Sequence, residues 1–117
     1  MKNIITDVKF STSNKATDIC LARAKYITEA GGEELTKKNI NKYYKKCLKQ
    51  FREDYFNNTE EEVGFLRCLN TNVEVGFYLK TSYSEWDSLS ILYVNPDFRG
   101  EGHSQTLINL YEMDCKD

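Results

Sequence analysis

The sequence has little of what marks several large classes of protein. A single Pro and six Gly in 117 residues exclude collagen-like and linker-like chains. No apolar stretch approaches the roughly 20 residues that span a bilayer. Residues 1–7 turn polar before the apolar run of a signal peptide can form. We therefore expect a soluble, cytoplasmic protein without membrane contact.

The sequence also lacks the cysteine and histidine spacing of metal sites and disulfide frameworks. Its cysteines lie far apart, without a Cys-x-x-Cys pair, and one histidine accompanies them. Zinc sites and disulfide-rich domains need denser patterns. We expect no metal site and reduced thiols that mainly pack the interior. The four residues are Cys20, Cys47, Cys68 and Cys115.

Neither sign of charge dominates the chain. Sixteen Lys and Arg stand against 18 Asp and Glu, so the net charge of −2 excludes a generally basic nucleic-acid binder. Aromatic residues make up 13% of the sequence, which argues against intrinsic disorder. The length fits one domain over residues 1–117.

Hydrophobic periodicity predicts a strand followed by two helices in the first half of the chain. The strand covers residues 4–10, and the first helix runs from about Lys15 to the Gly31-Gly32 pair. Thr36 is placed to N-cap the second helix, which we expect to end near Phe56. Its predicted buried stripe comprises Ile40, Tyr44, Cys47, Leu48, Phe51 and Tyr55.

In the second half the apolar period changes to two. Alternation predicts a hairpin with strands over 63–69 and 73–80, then a third strand over 88–93, and a last helix follows from Gly102 to Asp117. In the third strand Leu89, Ile91 and Tyr93 are expected on one face. The order β-α-α-β-β-β-α predicts an α/β (α+β) domain with a mixed, mostly antiparallel sheet.

The segment from Ile91 to Ser104 carries the strongest chemical signal. A strand enters a short loop that contains Gly100 and Gly102, and a helix begins inside this loop. Glycines let successive backbone N–H groups turn toward one point, and the helix start adds unpaired donors and a positive dipole end. Such a loop either binds phosphate or pyrophosphate or is a tight turn that needs glycine for its geometry.

This segment resembles the coenzyme A signature of the GNAT superfamily of N-acetyltransferases, Gln/Arg-x-x-Gly-x-Gly/Ala. The chain reads Arg-Gly-Glu-Gly-His-Ser over residues 99–104, after the pattern Val94-x-Pro96-x-x-Arg99 and before the apolar helix positions Leu107, Ile108 and Tyr111. The predicted order of elements before the motif is also similar to that family. The resemblance implies a GNAT-like fold.

The resemblance also implies an activity, the transfer of acetyl from acetyl-coenzyme A to an amine. Backbone N–H groups of the loop would hold the pyrophosphate, and the edge of the preceding strand would bind the pantetheine arm. A strand N–H near the thioester carbonyl would stabilise developing negative charge. The implied cofactor-binding residues are Leu92, Tyr93, Val94, Arg99, Gly100, Glu101, Gly102, His103 and Ser104.

Several positions depart from the family pattern. Ser104 replaces the usual Gly or Ala, and Ser88 stands where related lysine acetyltransferases carry a glutamate base. Glu85 and Asp87 are weak candidates for that base, although alternation points Asp87 away from the face of Ser88, and both are more simply solvated loop carboxylates. His103 either contacts phosphate or is an exposed or capping residue. The sequence also lacks the distal strand and helix of the family, as expected of a truncated domain.

These departures leave three interpretations open. The chain is an N-acetyltransferase for a small molecule, a lysine or an N-terminus, with its cleft completed by a second copy or a protein partner. Alternatively, it is a catalytically degenerate GNAT-like domain that regulates or inhibits a partner protein, or a fragment whose other half lies elsewhere.

Two further features have competing interpretations. The second helix is basic and contains Lys37, Lys38, Lys42, Lys45, Lys46, Lys49 and Arg52. Its face is either simply solvated or contacts an acidic partner, an acidic acceptor or nucleic acid. Trp86, near Tyr83, is either a lid on the core or a substrate clamp; a lid is the expectation.

Overall fold

Four strands and three helices make up the described part of the chain, residues 7–53 and 60–115 of a computed structural model. In chain order the elements are β1 Val8–Ser13, α1 Ala16–Ala30, α2 Lys37–Glu53, β2 Glu60–Cys68, β3 Glu74–Ser82, β4 Asp87–Val94 and α3 His103–Asp114. No described helix combines the length and apolarity needed to cross a bilayer.

The strands form one sheet in the order β1-β2-β3-β4, with antiparallel neighbours throughout. β3 lies inside the sheet, and its residues from Val75 to Thr81 are all buried. β1 and β4 are the edge strands of the described sheet. The predicted fold class is confirmed, with a sheet that is antiparallel at every described pairing.

Helices cover both faces of the sheet. On one face α1 buries Ile19 and Ala22 against Val63, Phe77 and other strand residues. On the opposite face, α3 contributes Leu107 to a second cluster, which contains Leu66, Val75, Tyr78 and Phe98. β3 therefore supplies both cores, with Phe77 and Leu79 in the first and Val75 and Tyr78 in the second. Burying apolar side chains on both sides of the sheet supplies most of the driving force for folding.

The helix boundaries follow local signals in the sequence. Asn39 N–H donates to Thr36 Oγ1 over 3.1 Å, which confirms Thr36 as the N-cap of α2. α1 ends at the glycine pair, as predicted, where Gly31 N–H donates to the Ile27 carbonyl. α2 packs on α1 and is less buried than predicted, since its apolar stripe is half-buried. Tyr55 and the predicted end near Phe56 lie outside the described residues.

The first strand lies further along the chain than predicted. β1 covers Val8–Ser13 and so includes three polar residues beyond the predicted end at Phe10, while residues 4–6 of the predicted strand lie outside the described residues. Pairing with β2, such as Ser11 with Phe65, satisfies the backbone of these polar residues at an exposed edge. Tertiary pairing therefore outweighs their turn preference.

Candidate functional site

The connection from β4 to α3 is built on a short 3₁₀ turn. The side chain of Asn95 accepts a hydrogen bond from the Asp97 N–H over 3.3 Å, and Pro96 begins the turn with its φ already fixed. Phe98 at its end is buried in the α3 core. The chain is thereby anchored immediately before the glycine loop.

Two glycines shape the loop itself. Gly100 and Gly102 have φ values of 85° and 83°, in the left-handed region that side chains rarely adopt. No atom lies within 4 Å of a Cβ built at Gly102, so the approach to this backbone is open. The conformation is required by the turn, and the open space leaves room for a ligand.

The N-terminus of α3 presents unpaired donors. The first backbone hydrogen bond of the helix runs from Thr106 N–H to the Gly102 carbonyl over 3.3 Å, so the N–H groups of His103, Ser104 and Gln105 precede it. Gly102 is the N-cap, and no side chain caps this end. Directed N–H groups with the positive end of the helix dipole form a chemically suitable anion site.

Arg99 is directed toward α1 and the end of β4. Its Nε donates to the Val94 carbonyl over 2.8 Å, and a guanidinium nitrogen lies 2.6 Å from Glu29 Oε2. The hydrogen bond from Arg99 lowers the pKa of the Glu29 carboxyl, with a further contribution from Tyr93. Burial and the bond to Glu29 raise the pKa of the Tyr93 hydroxyl. Arg99 therefore positions the loop by joining it to α1, a contact that the motif did not predict.

His103 is packed rather than exposed. Its side chain is 10% exposed, its Nε2 lies 3.4 Å from Glu101 Oε2, and its ring meets Phe98 edge to face. The expectation of an exposed or capping histidine is wrong, because the loop folds the ring back against the core. This pair is an ion pair when His103 is protonated.

β4 contains a bulge that the sequence pattern did not reveal. Leu79 pairs with Ile91 and Lys80 with Leu89, so Ser90 is an extra residue in the strand. Its Oγ lies 2.6 Å from Thr81 Oγ1. The extra residue changes the alternation, and the prediction that Leu89 shares a face with Ile91 and Tyr93 is wrong. Leu89 packs in the α3 core.

Beyond the bulge, the cofactor residues predicted on β4 divide between the two cores. Tyr93 is buried on the α1 side, where its ring stacks on Phe77 at 5.0 Å. Leu92 and Val94 lie on the α3 side. Their backbones belong to an edge strand of the described sheet. The structure thus brings this edge and the glycine loop together as one continuous segment.

The two candidate bases lie in different surroundings. Glu85 is exposed in the turn between β3 and β4, which Tyr83 N–H closes by donating to the Trp86 carbonyl. Asp87 is half-buried at the start of β4, and its charge raises the pKa of both Glu62 and Lys80. Asp87 therefore belongs to a charged group on the α3 side, away from the face of Ser88, in agreement with simple alternation.

This charged group surrounds Lys80 of β3. Lys80 is 6% exposed, and its Nζ lies 3.2 Å from Asp114 Oδ2 and 3.8 Å from Glu62 Oε1. Burial opposes the charge of Lys80, but the neighbouring carboxylates raise its pKa overall. Lysine is buried here because β3 is covered on both faces and carboxylates surround the ammonium group.

Glu62 and Asp114 influence each other's pKa in this cluster. The hydrogen bond with Asp114 and burial raise the pKa of Glu62 to about 7. Burial acts against ionisation of Asp114, yet hydrogen bonds from Glu62, Tyr78 and Lys80 lower the pKa of Asp114. Tyr78 donates to Asp114 over 2.8 Å. The group fastens the end of α3 to the sheet, and sequence spacing carried no signal for it.

The lid interpretation of Trp86 is wrong. Its side chain is 56% exposed and stacks on Tyr83 with ring centroids 4.3 Å apart. The two aromatic residues bracket a tight turn at the sheet end, so they pack on each other outside both cores.

Cys20, in contrast, is fully buried, and burial raises the pKa of its thiol to about 11. All four cysteines are free thiols.

The described arrangement defines a class of fold: an antiparallel sheet whose last strand enters a glycine loop and helix, with two helices inserted after the first strand. This is a GNAT-like fold, as the sequence predicted. No protein-family model matches the sequence, and no curated protein matches it.

Two solved structures are similar to the chain. A proposed GNAT-family acetyltransferase from Desulfovibrio desulfuricans is 14% identical with a TM-score of 0.54; the match covers 92% of this chain and 65% of that protein. A proposed GNAT-family acetyltransferase from Staphylococcus aureus is 18% identical, with a TM-score of 0.48 and coverages of 89% and 88%. The chain thus spans less than two thirds of the first protein's length. At these identities the likeness shows the fold alone.

Proposed function

We propose that the chain binds acetyl-coenzyme A at the β4–α3 loop and promotes transfer of its acetyl group to an amine. The observation that carries the proposal is the uncapped start of α3, where left-handed Gly100 and Gly102 open the backbone directly after an edge strand. The GNAT-like fold supports the same assignment. Bound acetyl-coenzyme A supplies an acetyl thioester that an amine can attack.

Each part of the site has a proposed role for this ligand. The N–H groups from Gly100 to Ser104 bind the pyrophosphate, because directed amides at a helix start stabilise anions, whereas the Arg99 N–H already donates to the Pro96 carbonyl. Glu101 and His103 support the loop from beneath. Backbone groups of Leu92, Tyr93 and Val94 hold the pantetheine amides along the β4 edge.

Proton removal from the amine needs a base, and of the two candidates Glu85 is the accessible one. Asp87 is engaged in the group around Lys80, which makes it a poor acceptor of a substrate proton.

The free thiols fit a reducing compartment, and we propose the cytoplasm. The acceptor amine is the unidentified partner in this proposal.

Two measurements test this function on the intact chain. Calorimetric titration should give saturable binding of acetyl-coenzyme A, and labelled acetyl-coenzyme A should transfer label to a member of a panel of polyamines, amino sugars and lysine peptides. Glu85→Gln should lower the transfer rate without changing coenzyme A affinity. The exposed Glu34→Gln is the matched control and should change neither quantity. Absence of coenzyme A binding would overturn the proposal.

A second candidate function is a GNAT-like domain that binds a partner protein without catalysis. It is favoured by Ser88 at the expected base position and by the hydroxyl pair of Thr81 and Ser90 beside it. Asp87, one of the two carboxylates predicted as a base, lies instead near Glu62 and Lys80. Weak or absent coenzyme A binding, together with a stable protein partner recovered in a pull-down, would support this candidate over the enzyme.

A further inference from the structure

A groove lies between α1 and α2, apart from the glycine loop. Its volume is about 700 Å³, within the range of ligand-binding clefts. The lining residues are Thr17, Asp18, Leu21, Lys25, Lys37, Lys38, Ile40, Asn41 and Tyr44. Apolar side chains of both helices therefore meet a rim that contains lysines.

The apolar part of this groove is incompletely covered. Leu21 on α1 is 40% exposed, and Ile40 and Tyr44 on α2 are half-buried. α1 buries five residues against its neighbours, whereas no described side chain of α2 is fully buried. Within the described chain, the side of α2 next to the groove lacks a full packing partner, so it retains apolar surface that a ligand would bury.

The positive charge beside the groove is also unbalanced. Lys38, Lys45 and Arg52 recur at seven-residue intervals, which places them on one side of the helix, and all three are exposed. No carboxylate of the described residues forms an ion pair with them. Residues 37–52 contain seven of the sixteen Lys and Arg and no Asp or Glu.

Two other lysines of α2 do have partners within the chain. Lys42 pairs with Glu33 at 3.2 Å, and both Lys42 and Lys46 lie over the Tyr43 ring. Those charges are satisfied within the chain. The row on the groove side is instead available to negative charge from outside.

We infer that the α1–α2 groove docks an acidic peptide segment of a partner protein, with one or more apolar side chains in the cleft between Leu21 and Tyr44. The 17 residues of α2 extend about 25 Å, so the charged row matches an extended or helical segment better than a small anion. The apolar floor favours a peptide over nucleic acid, because phosphate backbones offer no apolar side chains to bury.

Selection from a displayed library of random peptides as long as α2 tests the inference on the intact chain. Enriched peptides should be acidic and should each contain Leu, Ile, Phe or Tyr. One selected peptide, synthesised with a fluorescent label, should bind with an affinity that falls as salt rises. Replacing its apolar residues by Ser should weaken binding roughly tenfold, since the cleft would then lose its apolar contact.

Charge reversal separates this site from general attraction to basic protein. The double variant Lys38→Glu/Lys45→Glu should weaken the selected peptide at least about tenfold. The control Lys9→Glu/Lys46→Glu makes the same charge change at exposed positions outside the groove lining, one on β1 and one over the Tyr43 ring, and should change affinity less than about twofold. The groove-filling Asn41→Trp should also block binding without removing charge.

Three outcomes would overturn the inference. The first is a selection that yields neutral or basic sequences. The second is equal loss of affinity in the two double variants. The third is binding of single-stranded DNA as tightly as the selected peptide at the same salt concentration. Retention of the wild-type circular dichroism spectrum in Asn41→Trp ensures that its loss of binding reports on the groove.

Discussion

At position 104, helix stability and anion binding favour different side chains. Ser104 is exposed in the first turn of α3, a turn that holds no acidic residue and has no side-chain cap. A carboxylate there would stabilise the helix by interacting with its positive end. The same carboxylate would repel an anion bound to these N–H groups. Stability and ligand binding can therefore be separated at one position.

Ser104→Asp should raise the free energy of unfolding by about 0.5 kcal/mol and weaken acetyl-coenzyme A by roughly tenfold or more. Thermal unfolding without ligand and calorimetric titration measure the two effects. Asn109→Asp adds the same charge at an exposed position in the middle of α3 and should show neither effect. Unchanged affinity in Ser104→Asp would contradict the assignment of the loop as the pyrophosphate site.

Glu62 gives the fold a pH dependence near neutrality. Its pKa is about 7 in the folded chain against 4.5 for an ordinary glutamate, mainly because of the hydrogen bond with Asp114. A raised folded pKa contributes stability that is complete below the ordinary value and is lost as pH rises through the folded value. The fold should therefore weaken as Glu62 ionises around neutral pH.

Glu62→Gln should remove this loss, because the amide can still donate to Asp114 and cannot ionise. We expect similar stability of both proteins at about pH 5 and an advantage for the variant on the order of 1 kcal/mol at about pH 8, after allowance for screening by solvent. Urea unfolding across this range measures it. Glu60→Gln, at an exposed residue of the same strand, should track the wild type. If the two proteins differed in free energy of unfolding by the same amount at every pH, ionisation of Glu62 would not be the cause of the difference.

The contacts of Lys80 and Arg99 could not be predicted from the sequence. The glycine loop was predictable because the left-handed backbone at Gly100 and Gly102 is a local conformation that favours glycine. The partners of Lys80 come from β2, β4 and α3, and those of Arg99 from β4 and α1. Such contacts depend on how elements meet, which a pattern within one segment does not contain.

Among the elements, β4 departs from the regular alternation that its sequence predicts. The bulge at Ser90 lets Leu89 reach one core while Ile91 and Tyr93 reach the other. Periodicity predicted the strand and nearly its limits, but a period of two has no place for an extra residue. The existence of elements was thus predictable from apolar spacing, whereas the facing of Leu89 was not.

Deleting Ser90 should leave a regular strand with Leu89 and Ile91 on their present faces. The loss is then mainly the Thr81 hydrogen bond, about 1 kcal/mol. Deleting Leu92 instead lets the bulge close by moving Ser90 into the place of Ile91, which should cost roughly 2 kcal/mol or more in lost apolar burial. Chemical denaturation compares the two. Equal destabilisation would show that the bulge itself is needed for folding.

For the molecule as a whole, burial is distributed unevenly. β3 is shared by two cores, and α1 contributes five buried residues, whereas α2 packs beside α1 with a half-buried stripe. Composition and element order predicted one antiparallel domain with helices. The burial of α2 was overestimated. An amphipathic stripe predicts which face of a helix packs against the protein, but it does not predict what fraction of that face is buried.

Native-state hydrogen exchange should reveal this gradient. Backbone amides in the middle of β3 should exchange most slowly, and those in α2 should exchange faster than those in α1, since local opening is easier where little apolar surface is lost. Mass spectrometry of peptic fragments resolves the three elements. Protection in α2 equal to that in β3 would show that α2 belongs to the most stable unit of the fold.

The contact between Glu29 and Arg99 also bears on how the chain folds. The two residues are 70 positions apart in sequence, and their ion pair joins the end of α1 to the segment after β4. The meander of β2, β3 and β4 joins strands that follow one another closely in the chain and closes small loops. During synthesis, α1 is complete long before its partner emerges. The glycine loop thus acquires its native tether late, once the two ends of the domain have met.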